Sequence, residues 1–425
     1  MTFSARLSPP QRLSRLERRY SLVVFLNWFA VILPGAVLVL FAQSRGLGLA
    51  EIGLYGAVYS ASAALLELPT GNLADQVGRK RVALAGYTLV IVSKFVLLFA
   101  FSLPGFLVYA VLGGLARALG SGALDAWYVE AVRDVDPNTD LQPRLARLGT
   151  VELLALGLGS LMGAGLSALL AKNGYPSPLA AVILASLLLH LLTLLVTWRL
   201  IEEAPRAHVS PLAALRQGLV SLAPALAAAV QIICSSTLLP WLLLLEGVTG
   251  LVVAASETFW QPFFVARFGL GASGTTLLGV VLGGCFLAGM LGNLASGRLL
   301  LLFRGRTDRL GMATQITNAF ALLALAWQPS GSLWLAAGLF WLSYFARTAF
   351  SSSFLTLFNA QLSDERRSLM LSVLSVAFFL GVSLGSLVLG ALSSRWSIPW
   401  AWTLTSTVLL LSLAVFPKFR AVKQS

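Results

Sequence analysis

Long apolar runs recur along this chain, and they limit what it can fold into. From Tyr20 onward, stretches of about twenty residues carry almost no charge, and a helix of about twenty apolar residues crosses the ~30 Å hydrocarbon core of a bilayer. Because lipid offers no hydrogen-bond partner to the backbone, each crossing must be a helix or part of a closed barrel. The runs are continuously apolar, without alternating polarity. The sequence therefore predicts an all-α polytopic membrane protein.

Twelve such spans can be placed along the 425 residues. The basic start, RLSRLERR, leads directly into the first span, which is longer than the core of a signal peptide, so we expect an uncleaved helix there. The predicted transmembrane helices are 20–43, 50–69, 82–102, 105–130, 149–171, 178–200, 239–264, 274–297, 310–328, 332–359, 369–393 and 398–416.

Cationic residues lie almost entirely on one side of these spans. With the N terminus in the cytoplasm, 23 of the 30 lysines and arginines fall in cytoplasmic segments, 4 fall outside and 3 lie within spans. This is the positive-inside pattern, so we expect a multi-pass protein of the cytoplasmic (inner) membrane with both termini in the cytoplasm. The net charge of +13 then reflects attraction to anionic membrane lipids, and no nucleic acid is needed as a partner.

The segment 217–236 is apolar enough to suggest a thirteenth span. A crossing there would invert the sidedness of every later loop, exporting nine cations and importing two. The segment contains Pro224, and leucines at 212, 215, 219 and 222 recur at helical spacing. We therefore interpret this connector as an amphipathic helix on the inner surface.

Two sequence echoes indicate an internal repeat. The motif GNLA occurs at 71–74 and at 292–295, each time at the end of the second span of a six-span half. LARALGSG around Arg117 corresponds to FARTAFSS around Arg347, in the fourth span of each half. Two matches in the same order predict two six-helix pseudo-repeats related by an axis along the membrane normal. The predicted parts are the N-terminal half 1–201, a cytoplasmic linker 202–238 and the C-terminal half 239–425.

The loop after the second span carries the residues of a known signature. The loop signature of the major facilitator superfamily reads G-x-L-A-D-x-x-G-R-[K/R], and the chain resembles this superfamily over essentially its whole length. The resemblance implies the major facilitator fold and a gating loop that forms in one conformation and breaks in the other. We expect Asp75 to accept backbone N–H groups at the start of a neighbouring helix, and in the second repeat Ser296 replaces this acid. The gating residues implied here are Gly71, Asp75, Gly78, Arg79 and Lys80.

Two further patterns resemble the drug/proton antiporter-like branch in part. The span-five pattern G-x-x-x-G-P is met at Gly159 and Gly163, with Ala164 in place of the proline. The span-four pattern R-x-x-Q-G-x-G is out of step by one residue after Arg117. Arg117, Ser121 and Asp125 nevertheless form a polar stripe at helical spacing.

Ionisable residues within the spans are the candidate functional residues, because a charge at bilayer depth is costly. Glu246 and Glu257 lie eleven residues apart in one span, so we expect them on one helical face, about 16 Å apart along the axis. Such a pair suits a proton relay, since a buried carboxyl can hold and release a proton. Alternatively, each is a structural partner for a buried cation. The candidates for the substrate or proton pathway are Asn27, Lys94, Arg117, Asp125, Glu246, Glu257, Trp260 and Arg347.

These features favour a monomeric secondary active transporter of a small organic molecule. The resemblance implies alternating access and proton-coupled efflux of amphipathic or drug-like compounds, with protons as the coupling ion. In a second reading, Arg117 and Arg347 bind an organic anion or a lipid headgroup. A third is a non-transporting membrane receptor, which needs no combination of buried carboxylates and a gating loop.

An enzyme is disfavoured by the residues that are missing. Two cysteines and two histidines leave little material for a metal site, and we interpret both histidines as incidental. The sequence has no Walker loop for ATP and no serine or cysteine with a histidine plausibly nearby. We therefore expect no catalytic residues, no metal and no cofactor.

Overall fold

The structure is a computed structural model that describes residues 8–71, 73–120, 122–203, 211–270, 274–329 and 331–421. The described residues form helices and contain no strand. In the N-terminal half and the connector they form α1 (Pro9–Ile32), α2 (Leu38–Ser44), α3 (Leu49–Gly71), α4 (Leu73–Val77), α5 (Arg79–Leu98), α6 (Leu103–Gly120), α7 (Ala123–Val135), α8 (Gln142–Lys172), α9 (Pro178–Leu200) and α10 (Pro211–Ser235).

The C-terminal half repeats this arrangement of long helices joined by short loops. Its described residues form α11 (Leu239–Thr258), α12 (Trp260–Phe268), α13 (Thr275–Leu302), α14 (Thr307–Trp327), α15 (Leu333–Asn359), α16 (Asp364–Arg395), α17 (Ile398–Ser412) and a 3-10 helix (Leu413–Ala421). Eleven segments of the described chain are long and apolar enough to cross a membrane. They include part of α10 but neither α1 nor α15.

Three of the predicted spans are divided rather than continuous. Residues 33–37 separate α1 from α2, where Pro34 has no amide hydrogen to continue the helical ladder. Gly122, with φ +69°, separates α6 from α7, and Phe259 separates α11 from α12. The first division leaves α1 with a basic start and a short apolar end, which accounts for its absence from the apolar segments.

Contacts between the halves show which helix ends lie together. Gly53, near the start of α3, packs against Ser386 and Gly390, near the end of α16. Thr275, at the start of α13, donates a hydrogen bond to the carbonyl of Ala164, near the end of α8 (3.2 Å). Short loops reverse the direction of the chain from one span to the next. Once these contacts locate the starts of α3 and α13 at one end of the bundle, the end at which each remaining span begins follows.

The two ends of the bundle differ in charge. The end where α3 finishes and α5 begins carries Arg79, Lys80, Arg144 and Arg306, and we call it the basic end. The other, called the opposite end, carries the starts of α3 and α13. Exposed tryptophans occur there, including Trp327, whose ring lies 5.3 Å from that of Trp400. Tryptophan at this position is typical of a membrane–water interface.

Helix α10 does not carry the chain across the bundle. It follows α9, which ends at the basic end, and precedes α11, which must start there because α13 starts at the opposite end. It packs against α3, α4, α11 and α16, and Cys234 near its end is exposed. The side chains of Leu212, Leu215 and Leu219, on which its amphipathic character was predicted, lie outside the described residues.

Candidate functional site

A cavity of about 730 Å³ lies between the two halves, a volume within the range of small-molecule sites. The N-terminal half contributes Tyr59 and Arg117 to its wall, and the C-terminal half contributes Glu246, Glu257 and Arg347. The sequence analysis had selected four of these five residues from distant spans. The fold therefore brings residues from predicted spans four, seven and ten together around one cavity.

A second cavity of about 660 Å³ extends into the N-terminal half. Tyr59, Tyr109 and Arg117 line both cavities, so the two lie side by side. Of the predicted pathway residues, this branch is lined by Asn27, Lys94, Arg117 and Asp125, together with Glu152 and His190.

Arg117 is a cation without a carboxylate partner within 4.0 Å among the described residues. Its side chain is exposed to the cavity, and its guanidinium lies 6.0 Å from the ring centre of Phe379 in the other half. Ser121, which the sequence placed on the same stripe, lies outside the described residues. A cation between an open cavity and an aromatic ring can receive an anionic group or remain hydrated.

Asp125 is held by a tyrosine from the first helix. The hydroxyl of Tyr20 donates a hydrogen bond of 2.7 Å to Oδ1 of Asp125, and the Tyr20 ring stacks on Tyr128 at 4.9 Å. The left-handed backbone at Gly122 starts α7 just before Asp125, a conformation that favours glycine. This break turns the carboxylate towards the cavity of the N-terminal half.

Glu257 and Arg347 form a loose ion pair across the C-terminal half. Their closest N···O distance is 3.6 Å, and the Glu257 side chain is 54% exposed. The carboxylate therefore contacts Arg347 on one side and faces the cavity on the other. Nη1 of Arg347 is buried and has no described hydrogen-bond partner, while its guanidinium lies 4.4 Å from the ring centre of Tyr344.

Glu246 lies on the same helix as Glu257, and both line the central cavity. The shared face that their spacing predicted is therefore present. Unlike Glu257, Glu246 makes no hydrogen bond or salt bridge to any described residue. Its neighbours in the cavity wall include Phe350, Phe354 and Phe378. Glu246 is thus a carboxyl group on a cavity wall that also carries aromatic side chains.

Trp260 corrects one expectation of the sequence analysis. Its side chain is 1% exposed and packs in the core of the opposite end, stacked on Phe340 at 5.9 Å, so it lies in neither cavity. Gln261, the next residue, is also buried and joins the halves. It donates to the carbonyl of Gly35 (2.7 Å) and accepts from the N–H of Val39 (3.1 Å).

Lys94 is buried among neutral partners in the N-terminal half. Its Nζ donates to the carbonyl of Ala30 (3.2 Å) and to Oγ of Ser186, and it lies 3.3 Å from Nδ1 of His190. No described carboxylate lies within 4.0 Å of it. His190, which the sequence analysis interpreted as incidental, therefore belongs to a polar cluster with a predicted pathway residue.

The loop between α3 and α5 places Arg79 at the centre of an acidic network. Its guanidinium lies 3.1 Å from Asp75 and 2.8 Å from Glu130, at the end of α7. The Arg79 side chain is only 12% exposed, whereas both acids are about half exposed or more. The network ties the ends of two spans together at the basic end, within the N-terminal half.

The carboxylate that caps α5 belongs to Glu203, which lies outside the loop signature. Glu203 accepts the backbone N–H groups of Arg79 (2.8 Å) and Lys80 (2.9 Å), at the positive end of the helix dipole. Gly78 precedes them with φ +110°, and a Cβ there would lie 3.0 Å from Glu203. Lys80 Nζ donates to the carbonyl of Trp198 (2.7 Å). Gly71 ends α3, and Asn72 lies outside the described residues.

Several residues of this site carried no usable sequence signal. Glu203 lies 124 residues from Arg79, and Tyr20 lies 105 residues from Asp125. Neither belongs to the loop signature or lies deep in a predicted span. A search for acids at the basic ends of spans would have included Glu130 and Glu203, but only the helix arrangement identifies their partners.

Comparison with solved structures agrees with this architecture. A mutant of the nucleoside transporter NupG superposes with a TM-score of 0.75 at 14% identity, covering 96% of this chain and 99% of that one. A bacterial homologue of the human lysosomal transporter Spinster, inward-facing and unoccupied, gives 0.69 at 16% identity, with 97% and 99% covered. An inward-facing bacterial homologue of the iron transporter ferroportin gives 0.67 at 17%, with 96% and 99% covered. At these identities the likeness concerns the fold.

The sequence comparison is more specific. No curated protein matches this sequence, but residues 20–313 match the model of the Major Facilitator Superfamily. That region includes the loop signature, both GNLA motifs and the two carboxyls of α11. It extends over more than half of the chain. The chain therefore belongs to the major facilitator superfamily.

Proposed function

We propose that this protein is a secondary active transporter of the cytoplasmic membrane that exports amphipathic or drug-like compounds in exchange for protons. The observation that carries the proposal is the cavity between the halves, which is lined by charged residues of both. A site shared by two similar halves can be opened to either side by rocking one half against the other. That geometry supports transport by alternating access.

In this proposal the basic end faces the cytoplasm and the structure is an inward-facing state. The described hydrogen bonds between the halves lie towards the opposite end, at Gln261, Thr275 and Ser383. Ser383 donates to the carbonyl of Ala57 (3.0 Å). These hydrogen bonds hold the two halves together at the opposite end, while the halves can separate at the basic end.

The wall of the C-terminal half supports an amphipathic cation as the substrate. Glu246 is available there without a described cationic partner, beside Phe350, Phe354 and Phe378. A carboxylate attracts a positive group, and aromatic faces bind both cations and apolar rings. Glu257 in the central cavity and Asp125 in the adjacent one supply further carboxyl groups that can carry the coupling proton.

Transport of ethidium, an amphipathic cation, tests this proposal. The purified protein is reconstituted into vesicles, and ethidium movement is followed after a pH gradient is imposed in either direction. We expect movement that depends on both the protein and the gradient, and that reverses with it. Equal fluxes in protein-containing and protein-free vesicles would contradict export of this substrate class.

A second candidate function is transport of an organic anion, which Arg117 favours. Its guanidinium faces the cavity without a described carboxylate partner. Carboxyfluorescein can replace ethidium in the same vesicles. Transport of the dye that is lost in Arg117→Gln, with ethidium not transported, would favour the anion.

Replacing Asp75 with asparagine should impair transport without preventing membrane insertion. The exchange removes the charge that binds Arg79 at 3.1 Å and leaves Glu130 as the acid known to pair with it. Because Asp75 is 63% exposed and Glu130 remains paired with Arg79, the loss should change stability by about 1 kcal/mol or less, and expression should stay near normal. Asp134→Asn, at an exposed acid of the same end, is the control. Unchanged ethidium flux in Asp75→Asn would exclude a gating role for this acid.

Accessibility of residue 363 tests the proposed orientation. With Cys234 and Cys285 replaced by serine, a cysteine introduced at Ser363 should resist a membrane-impermeant thiol reagent added outside intact cells. Permeabilised cells, where the same cysteine should react, supply the control. Rapid labelling in intact cells would place this loop outside and reverse the proposed sidedness.

A further inference from the structure

The cluster around Lys94 lies apart from the carboxylates of the central cavity. Lys94 lies on α5, Ser186 and His190 lie on α9, and Ala30 lies on α1. Lys94 is 8% exposed and His190 is fully buried, yet both contribute to the wall of the N-terminal cavity. A buried amine beside an imidazole, within reach of that cavity, can exchange a proton with it.

Hydrogen-bond geometry shows which protonation state the cluster accommodates. Nδ1 of His190 lies 2.8 Å from the carbonyl of Ser186. A hydrogen on Nδ1 therefore has an acceptor there, but that nitrogen then offers no lone pair to an ammonium hydrogen of Lys94. A neutral amine fits instead, because its two hydrogens reach Ala30 and Ser186 while its lone pair faces the Nδ1 hydrogen.

The charged alternative brings two hydrogen-bond acceptors into contact. For a lysine ammonium to donate to Nδ1, the imidazole hydrogen must move to Nε2. The Nδ1 lone pair would then face the Ser186 oxygen at 2.8 Å, which places two acceptors in contact. Nε2 is buried without a described hydrogen-bond partner in either tautomer, so the contact at Nδ1 decides between the two states.

We propose that Lys94 and His190 together form a proton-binding site, empty of its proton in this conformation. The site rests on the proposed function, since it would carry a proton that drives export. Proton uptake converts the amine to an ammonium, and the Lys94–His190 contact then has to rearrange. No covalent bond forms or breaks apart from the N–H bond to the incoming proton.

The position of Ala30 connects this site to the movement of the halves. Ala30 lies on α1 shortly before the break at residues 33–37, and it accepts from both Lys94 and Ser186. Within that break, Gly35 is bonded to Gln261 of the other half, as is Val39 just beyond it. A rearrangement at Ala30 therefore acts on the end of α1, which leads through the break to the residues bonded to Gln261.

The remaining titratable groups of this cavity come from the surrounding helices. Asp125 on α7 and Glu152 on α8 are its carboxyls, and Arg117 on α6 is its other cation. Its tyrosines are Tyr20 on α1, Tyr59 on α3, Tyr87 on α5 and Tyr109 on α6. None of these carboxyls is within salt-bridge distance of Lys94 in the described structure, so no fixed anion holds its charge.

Nuclear magnetic resonance of the purified protein tests the site without any substrate. The chain has five lysines and two histidines, so lysine labelled with ¹³C at Cε and histidine labelled with ¹⁵N give few signals. Replacing Lys80, Lys172, Lys418 and Lys423 by arginine leaves Lys94 as the single lysine. If that variant is unstable, the parent protein is used, where Lys94→Met assigns the signal.

We expect the Lys94 signal to change from charged to neutral between about pH 5 and 9, where an ordinary lysine stays charged. The His190 signals should show a neutral ring with hydrogen on Nδ1, while His208 supplies the reference. In His190→Leu the lysine transition should move to higher pH, because the neutral amine loses the N–H that faces its lone pair.

Three results would overturn the proposal. A Lys94 signal that stays charged throughout would make it a fixed structural cation. A His190 hydrogen on Nε2 would contradict the hydrogen-bond assignment, and an unmoved transition in His190→Leu would remove His190 from the site. These spectra are recorded without substrate, so each result is independent of whether the protein transports ethidium. Failure of this site is therefore distinguishable from failure of the transporter proposal.

Discussion

Gly163→Ala will lower the thermal stability of the purified protein, whereas Gly165→Ala, two residues away on the same helix, will not. A Cβ at Gly163 would overlap the carbonyl oxygen of Leu33 and lie 2.8 Å from its carbonyl carbon. These are backbone atoms at the break after α1, and they cannot rotate away. Overpacking of this kind typically costs about 1–3 kcal/mol.

The control is matched because Gly165 has no atom within 4 Å of its Cβ position. Alanine there should be neutral or slightly stabilising, since glycine inside a helix costs about 0.5–1 kcal/mol relative to alanine. A thiol-reactive dye can follow heating through the exposure of buried Cys285, with Cys234 replaced by serine. Equal melting temperatures of the two variants would show that α1 and α8 are not this close.

Glu257→Gln will lower the rate of ethidium transport driven by a pH gradient at least about tenfold. A tenfold change in rate corresponds to ~1.4 kcal/mol. The carboxyl lines the cavity and pairs loosely with Arg347 at 3.6 Å, so it can alternate between the cation and a proton. Glutamine keeps its shape but cannot take up a proton. Ethidium exchange at equal pH on both sides should persist, because it requires no net proton movement.

Two controls separate proton transfer from loss of the ion pair. Glu365→Gln removes an exposed acid at the basic end and should leave transport unchanged. In Glu257→Gln combined with Arg347→Gln, transport should stay uncoupled if the carboxyl carries the proton, whereas recovery would mean that the unpaired cation caused the loss. If Glu257→Gln, Asp125→Asn and Glu246→Gln all respond to the gradient as the parent does, carboxyl coupling is wrong.

The helical spans, their repeat and the gathering of basic loops at one end of the bundle could be predicted because they depend on local physics. Apolar length sets each span, and the basic loops set the ends of the bundle. Both Glu246 and Glu257 reached the cavity because helical spacing alone fixes a shared face. The divisions of spans one, four and seven were missed, since hydropathy does not distinguish a continuous helix from two short ones.

The chain by itself determined the all-helical class, the family and the charged residues that line the cavity, through hydropathy, loop charge and one loop signature. Tertiary structure decided the partners. Glu203 caps α5, His190 contacts Lys94, Gln261 bonds across the halves, and Trp260 is buried in a core. These contacts join helices 96 to 226 residues apart. Spacing within one helix gives no information about which neighbouring helix, at which depth, supplies the partner.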